Sequence, residues 1–155
     1  MKITPRIILF IDASRGFGRG MLKGIARYSA LNGPWTFFRK PPEYLNSKPD
    51  LDLEELKTWQ PDAVVCSQTQ SKNLSKLKVP MIIFDPVNYR GSYPWVGSDD
   101  LEVGKMAARH LLEQGHRNVA FCGYVGKPWS NRRSKTFCQA IKESGGTVYT
   151  YEQKK

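Results

Sequence analysis

The sequence predicts a doubly wound α/β fold, a parallel sheet covered by helices on both faces. Three observations predict it. Short runs rich in Ile, Val and Phe recur at Arg6–Asp12, Trp35–Arg39, Asp62–Cys66, Pro80–Asp85 and Asn118–Gly123. Uninterrupted apolar runs of that length read as strands buried on both faces, as in parallel sheets. Segments with apolar residues at helical spacing alternate with these runs, and that alternation builds βαβ units. Turn formers mark the junctions, among them Asn32-Gly33, Gly115 and Gly145-Gly146.

In chain order, Arg6–Asp12 is the first strand and Ala13–Gly20 a polar, Gly-containing turn. Met21, Leu22, Ile25, Ala26 and Tyr28 then recur at helical spacing. Trp35–Arg39 is a second strand, and Pro41-Pro42 opens a loop through Pro49. Asp50–Trp59 reads as a helix capped by Asp50, with Leu53, Leu56 and Trp59 inward. Asp62–Cys66 is the third strand, Ser71–Leu77 a short helix and Pro80–Asp85 the fourth strand. After a loop over Pro86–Pro94, Trp95-Val96-Gly97 is a brief extended piece. Asp100–Glu113 is an amphipathic helix with Leu101, Met106, Ala107, His110 and Leu111 inward. Asn118–Gly123 is expected as the fifth strand, Asn131–Ser144 as a helix and Thr147–Tyr151 as the start of a further strand. The first strand is expected at the centre of the sheet.

Composition limits the function classes. The chain has 155 residues, of which 40% are hydrophobic and 12% aromatic, enough for a core and unlike a disordered chain. Its longest apolar runs have about five residues against about 20 for a membrane-spanning helix, so no membrane partner is expected. The opening run is too short for an export signal and ends in Asp12, so a cytoplasmic location is expected. The three cysteines are widely spaced and indicate neither a disulfide framework nor a zinc site. Cys66 and Cys122 lie in apolar runs and read as small buried hydrophobes. Net charge is +10, but residues 41–100 carry 6 basic and 9 acidic groups, and no dense basic run occurs. A solvated basic face fits this better than direct DNA contact by this segment.

In an open α/β sheet, ligands sit beyond the carboxyl ends of the strands, where strand order reverses. That rule selects Asp12–Arg19, Ser67–Thr69, Asp85–Asn88 and Tyr124–Arg133. Gly16-Phe-Gly18-Arg-Gly20 suggests a dinucleotide loop, yet Met21 stands where the third glycine belongs. Arg39-Lys40 follow the second strand in place of a ribose-binding acid, an arrangement compatible only with a 2′-phosphate. There is no phosphate-binding P-loop and no nucleophile elbow. His110 and His116 have no partner at metal or triad spacing and read as structural. No catalytic residue, cofactor or metal is therefore expected. Sugars suit these loops better: their C–H faces pack on aromatic rings, carboxylates accept their hydroxyl protons, and Arg donates in a fixed fork. Asp12, Arg15, Phe17, Arg19, Asp99, Trp129 and Arg133 supply those groups. A packing role suits Phe17 and Trp129 equally well, a solvated position suits Arg15 and Arg19, and a turn-capping role suits Asp12.

Val96-Gly-Ser-Asp-Asp100, Gly104, His110-Leu111, Gly115-His116-Arg117, Val119-Ala120-Phe121 and Gly123 together resemble the central signature of the lac repressor family. There the pattern runs V-x-x-D-N, G, H-L, G-H-R, I-A and G, and Asp100 departs from the usual Asn. Ser14–Gly20 with Leu22–Tyr28, and Trp129-Ser-Asn-Arg-Arg133 with Phe137, are similar to regulators of the xylose-operon type. Those join a periplasmic-sugar-binding-like domain to a C-terminal AraC-type DNA-binding domain. The resemblance covers nearly the whole chain. It implies that residues 1–155 form the N-terminal lobe of a type I periplasmic-binding-protein-like, lac-repressor-like sensor and not an enzyme. It implies a pentose-like ligand sensed by lobe closure, operator DNA met only through a domain outside this chain, and a homodimeric parent. On matching positions it assigns ligand contact to Asp99, to Arg133 and to the Ser14–Arg19 loop, while Ser67 and Gln68 follow from position alone. With no second lobe expected within residues 1–155, pentose binding by this chain alone is expected to be millimolar at best. The alternatives are a transport-type sugar-binding protein and a nucleotide-binding enzyme lobe.

Overall fold

The computed structural model describes residues 4–14, 16–39 and 52–153. The chain divides into two compact units, Met1–Gly97 and Ser98–Lys155, each with its own sheet.

The first unit holds five strands, β1 (Arg6–Leu9), β2 (Thr36–Phe38), β3 (Ala63–Ser67), β4 (Met81–Phe84) and β5 (Trp95–Val96). All pair in parallel, in the order β2-β1-β3-β4-β5. Helices α1 (Gly16–Asn32), α2 (Leu53–Thr58) and α3 (Gln68–Leu74) connect them. Successive strand residues point to opposite faces, so both faces need cover. Ile8, Val64, Cys66, Met81 and Ile83 meet Leu56 and Leu74 on one face, while Ile7, Leu9 and Ile11 meet Met21, Leu22 and Ile25 of α1 on the other. Ile8, Val64 and Ile83 are fully buried, a state that stabilises the fold by about 1.5–3 kcal/mol for each such side chain.

Several expectations change here. β3, not β1, is the central strand, because the chain adds β2 on one side of β1 and three strands on the other. The fifth strand of this sheet is Trp95–Val96, not Asn118–Gly123. It is fixed by the Asp85 N–H donating to the Val96 carbonyl at 2.7 Å. Helix α1 starts at Gly16, so the glycine-rich stretch is its first turn and not a loop. Ala26 and Tyr28 are exposed, and Ser29 takes the inward place, its Oγ accepting from the Trp35 N–H at 3.0 Å. Asp52 caps α2, its Oδ1 accepting from the N–H groups of Glu54 and Glu55. Asp50 and the Pro41–Pro49 loop lie outside the described residues.

The second unit consists of α4 (Asp100–Glu113), β6 (Asn118–Tyr124), α5 (Pro128–Glu143) and β7 (Thr147–Gln153), with β6 and β7 paired in parallel. Ala108, Phe137 and Ile141 are its buried centre, flanked by Leu111, Leu112, Val119, Phe121 and Val148. Both helices end as glycine-terminated Schellman motifs. The His116 N–H donates to Leu111 O and the Gly146 N–H to Ile141 O, with Gly115 and Gly145 in the left-handed region. The inward face of α4 is formed by Asp100, Gly104 and Ala108; Leu101, Met106, Ala107 and His110 are exposed. Close approach to α5 selects small side chains here, which a pattern of large apolar residues does not reveal. Cys122 is exposed on β6, against the buried position expected for it, while Cys66 is buried as expected.

Candidate functional site

The parallel order of the first sheet puts the ends of β1, β3 and β4 at one edge, and strand order reverses between β1 and β3. Asp12 and Ser14 follow β1 there. Asp12 is exposed, and its carboxylate accepts from the Ser14 N–H and the Ser14 hydroxyl, both at 2.8 Å. Arg19 folds back over the same turn, donating from Nη1 to Ala13 O at 3.1 Å and to Ser14 O at 2.7 Å. The turn is tight because Gly18 packs on it: a Cβ there would stand 1.7 Å from the Asp12 carbonyl oxygen. Phe17 is about half exposed beside this turn, at 48%. The structure thus brings Asp12, Ser14 and Arg19 together, with part of their hydrogen-bonding capacity committed to one another. Arg15 lies outside the described residues. At the end of β3, Gln70 Oε1 accepts from Ser67 N and Ser67 Oγ, and Gln68 Oε1 accepts from the Val87 N–H at 2.8 Å. Gln68 therefore anchors the loop after β4.

In the second unit, Asp99 is the N-cap of α4, its Oδ1 accepting from the Glu102 N–H at 3.0 Å. Trp129 and Arg133 sit one turn apart on the first half of α5. The Arg133 guanidinium carbon lies 5.1 Å from the centre of the Trp129 ring, which also packs against Tyr124 at 5.7 Å. The Ser130 hydroxyl accepts from the Tyr124 N–H at 2.9 Å and ties this turn to the end of β6.

The sequence reading missed Asp100 and Arg132. The Asp100 side chain is fully buried, and both of its oxygens are occupied. Oδ1 accepts from Arg133 Nε at 2.8 Å, while Oδ2 accepts from Arg132 Nε at 3.0 Å and Nη2 at 2.5 Å. A buried carboxylate persists when paired and hydrogen-bonded, and two guanidinium groups meet that need. The available signal was chemical: an acid at a position usually filled by Asn, and two adjacent arginines further along. Arg133 shows no hydrogen bond from its terminal amines among the described residues, and its side chain is about one third exposed, at 33%. A groove of about 500 Å³ between α4 and α5 mixes Lys105, Arg109 and Arg117 with Glu113 and Glu143 and contains none of the candidate residues.

Comparison with known proteins follows the same lines. Residues 108–155 match the periplasmic binding protein-like domain family. The xylose operon regulatory protein of Haemophilus influenzae is 22% identical over 95% of this chain and 39% of its own length. The HTH-type transcriptional repressor PurR of Glaesserella parasuis is 31% identical over 53% of this chain and 25% of its own length. The chain thus spans well under half the length of these relatives. Among solved structures, a periplasmic binding protein/LacI transcriptional regulator from Alkaliphilus metalliredigens, complexed with D-xylulofuranose, superposes with a TM-score of 0.68 at 18% identity, covering 97% of this chain and 57% of that one. A periplasmic ribose ABC transporter protein from Conexibacter woesei superposes with a TM-score of 0.77 at 18% identity, covering 97% and 55%. These relatives are regulators and binding proteins by name, not enzymes. Among the described residues no helix is long and apolar enough to cross a membrane. The chain has the α/β fold of periplasmic-binding-protein-like domains and resembles, in sequence, the sensor domains of lac-repressor-type transcriptional regulators.

Proposed function

We propose that this chain is the ligand-sensing part of a DNA-binding transcriptional regulator, and that its ligand is a small polyol, a pentose of the xylose type. The observation that carries the reading is Arg133 stacked on Trp129 with its terminal amines unpaired among the described residues. An aromatic ring for sugar C–H groups beside a guanidinium fork for sugar oxygens is the chemistry that a neutral polyol needs. Asp99 in the second unit and Asp12, Ser14, Phe17 and Arg19 in the first are proposed as further ligand-facing residues of their own units. Met1–Gly97, with its five-stranded sheet, is assigned to the N-terminal lobe of the sensor, and the DNA-binding domain to the longer protein. Sugar binding shifts an open–closed lobe equilibrium in that cytoplasmic, homodimeric parent, and the DNA-binding domain reads the shift.

Calorimetry of the full-length gene product with D-xylose, D-ribose and L-arabinose tests this. Arg133→Ala is expected to weaken pentose binding by about 1.5–3 kcal/mol, the range for a hydrogen bond to a charged group. Unchanged affinity removes Arg133 from the site. A transport-type binding protein is the second reading, favoured by the ribose-transporter superposition. A gel-shift assay on promoter DNA, with and without pentose, separates the two, because only a regulator shifts DNA.

A further inference from the structure

We propose that Asp100 is a positioning residue for the ligand, holding Arg133 by its Nε so that the terminal amines form an outward fork for two neighbouring hydroxyl oxygens of a sugar. The inference rests on the sugar-sensing reading above and deepens it. Arginine carries five N–H donors in one rigid plane. Asp100 Oδ1 takes the Nε donor at 2.8 Å, and the Trp129 ring lies against the guanidinium. Two restraints fix both the direction and the plane of the group. What is left is the terminal edge, whose parallel donors suit a pair of adjacent oxygens. A preoriented fork loses less conformational freedom on binding than a free side chain, and binding is tighter for it.

Asn at position 100 cannot do the same. A carboxamide has one acceptor oxygen, and its nitrogen would face a second guanidinium as donor against donor. The carboxylate serves both arginines because Arg132 takes Oδ2 alone, through Nε and Nη2. Arg132 thus balances the charge of the buried acid and leaves Oδ1 to Arg133. Gly104, one turn along α4, makes the arrangement possible by letting α4 approach the Arg133 backbone: a Cβ at Gly104 would stand 2.4 Å from Arg133 O.

The test is a double-mutant cycle in the full-length gene product, read by calorimetry with D-xylose. Asp100→Asn is expected to raise the dissociation constant about tenfold or more, and Arg132→Lys to change it less than about threefold. The double variant Asp100→Asn/Arg133→Ala is expected to bind no more weakly than Arg133→Ala alone, since positioning has no effect once the positioned group is gone. Additive losses, or an Arg132→Lys loss as large as that of Asp100→Asn, would show a general packing role and overturn the inference. So would unchanged binding by Asp100→Asn. If the wild-type protein binds no pentose in the panel, the sugar-sensing reading falls and this inference with it; wild-type binding with any of the contrary variant results sinks the inference alone. Should Asp100→Asn fail to fold, nitrogen-15 spectra of the wild-type protein decide. On titration with D-xylose the Arg133 Nε–H signal is expected to hold its position while the terminal amine signals shift. The reverse pattern overturns the assignment.

Discussion

Gly104 of α4 faces Thr136 of α5 at a distance no side chain fits: a Cβ on Gly104 would stand 2.1 Å from Thr136 Oγ1. That hydroxyl is itself committed, donating to Leu101 O at 2.9 Å across the helix pair. Gly104→Ala therefore sets two effects against each other. Alanine gains up to about 1 kcal/mol of helix propensity, while forcing a methyl into a packed contact typically costs about 1–3 kcal/mol. The contact with backbone at Arg133 O puts this case at the upper end of that range. A net destabilisation of about 1–2 kcal/mol is expected, read as a lower denaturation midpoint in urea. An unchanged midpoint would show that α4 and α5 part easily.

The glycines of α1 allow a cleaner comparison within one helix. A Cβ at Gly18 would overlap the Asp12 carbonyl, whereas a Cβ at Gly20 or Gly24 meets nothing within 4 Å. Gly20→Ala and Gly24→Ala are expected to stabilise the chain by about 0.5–1 kcal/mol each, the usual gain in a helix interior. Gly18→Ala is expected to destabilise it and to displace the turn that holds Asp12, Ser14 and Arg19. Thermal melts of the three variants suffice. A stabilised Gly18→Ala would mean that this turn is not packed as described.

Burial on both faces explains what could be read in advance. β1, β3 and β4 consist of Ile, Val, Leu, Met, Phe and Ala with one Cys, one Arg and one Ser, so their type and place along the chain are legible, while their order across the sheet is not. Gly115 and Gly145 marked helix ends because the left-handed conformation there favours glycine. Two-residue β5 had no such signal: it becomes a strand only through backbone pairing with β4. The inward face of α4 was misread because periodicity weights large apolar residues, while contact with α5 needs Gly104 and Ala108. Trp129 and Arg133 stand out in the sequence as an aromatic and a cation four residues apart, but the Asp100 pairing does not. It joins residues 32 and 33 positions apart, and only the packing of α4 on α5 brings them into contact. For Asp12 the sequence allows both a ligand contact and a turn cap, and the structure shows the cap on Ser14; Arg19, for which it allows a solvated position, donates to the carbonyls of the same turn.

The two strand cysteines should differ in chemistry. Burial pushes the Cys66 thiol up to about 12 from its ordinary 9.0, while Cys122 is exposed. The thiolate is the reactive form, so a disulfide reagent at pH 8 should label Cys122 quickly and Cys66 only after unfolding. A raised value also links stability to pH. The folded state holds the Cys66 proton more tightly than the unfolded chain, so its contribution is intact below about pH 9 and declines as pH rises towards about 12. Cys66→Ala should therefore lose less stability than the wild type between pH 8.5 and roughly 10.5. Parallel alkaline curves for the two proteins would rule out this linkage.

Among the described residues arginine lies over tryptophan twice, and the two pairs predict opposite behaviour. Arg6 lies 4.8 Å from the centre of the Trp59 ring, and Trp59 packs against Phe38 at the edge of the first core. The Arg6 backbone N–H donates to Asp62 at 2.7 Å, so this pair belongs to the framework of β1. Arg133 lies over Trp129 beyond the end of β6, with no partner for its outer amines among the described residues. An indole under a sugar-binding guanidinium should change its emission when the sugar arrives. Titration of the full-length gene product with D-xylose is thus expected to alter tryptophan fluorescence. Trp129→Phe should remove most of that change and weaken binding, because the smaller ring covers less sugar surface and attracts the cation less. Trp59→Phe should leave sugar affinity within about twofold while lowering stability by about 0.5–1.5 kcal/mol through lost packing. A fluorescence response that survives Trp129→Phe, or one lost with Trp59→Phe, would place the sugar away from Arg133 and return the Trp129–Arg133 pair to the role that Trp59 and Arg6 already play.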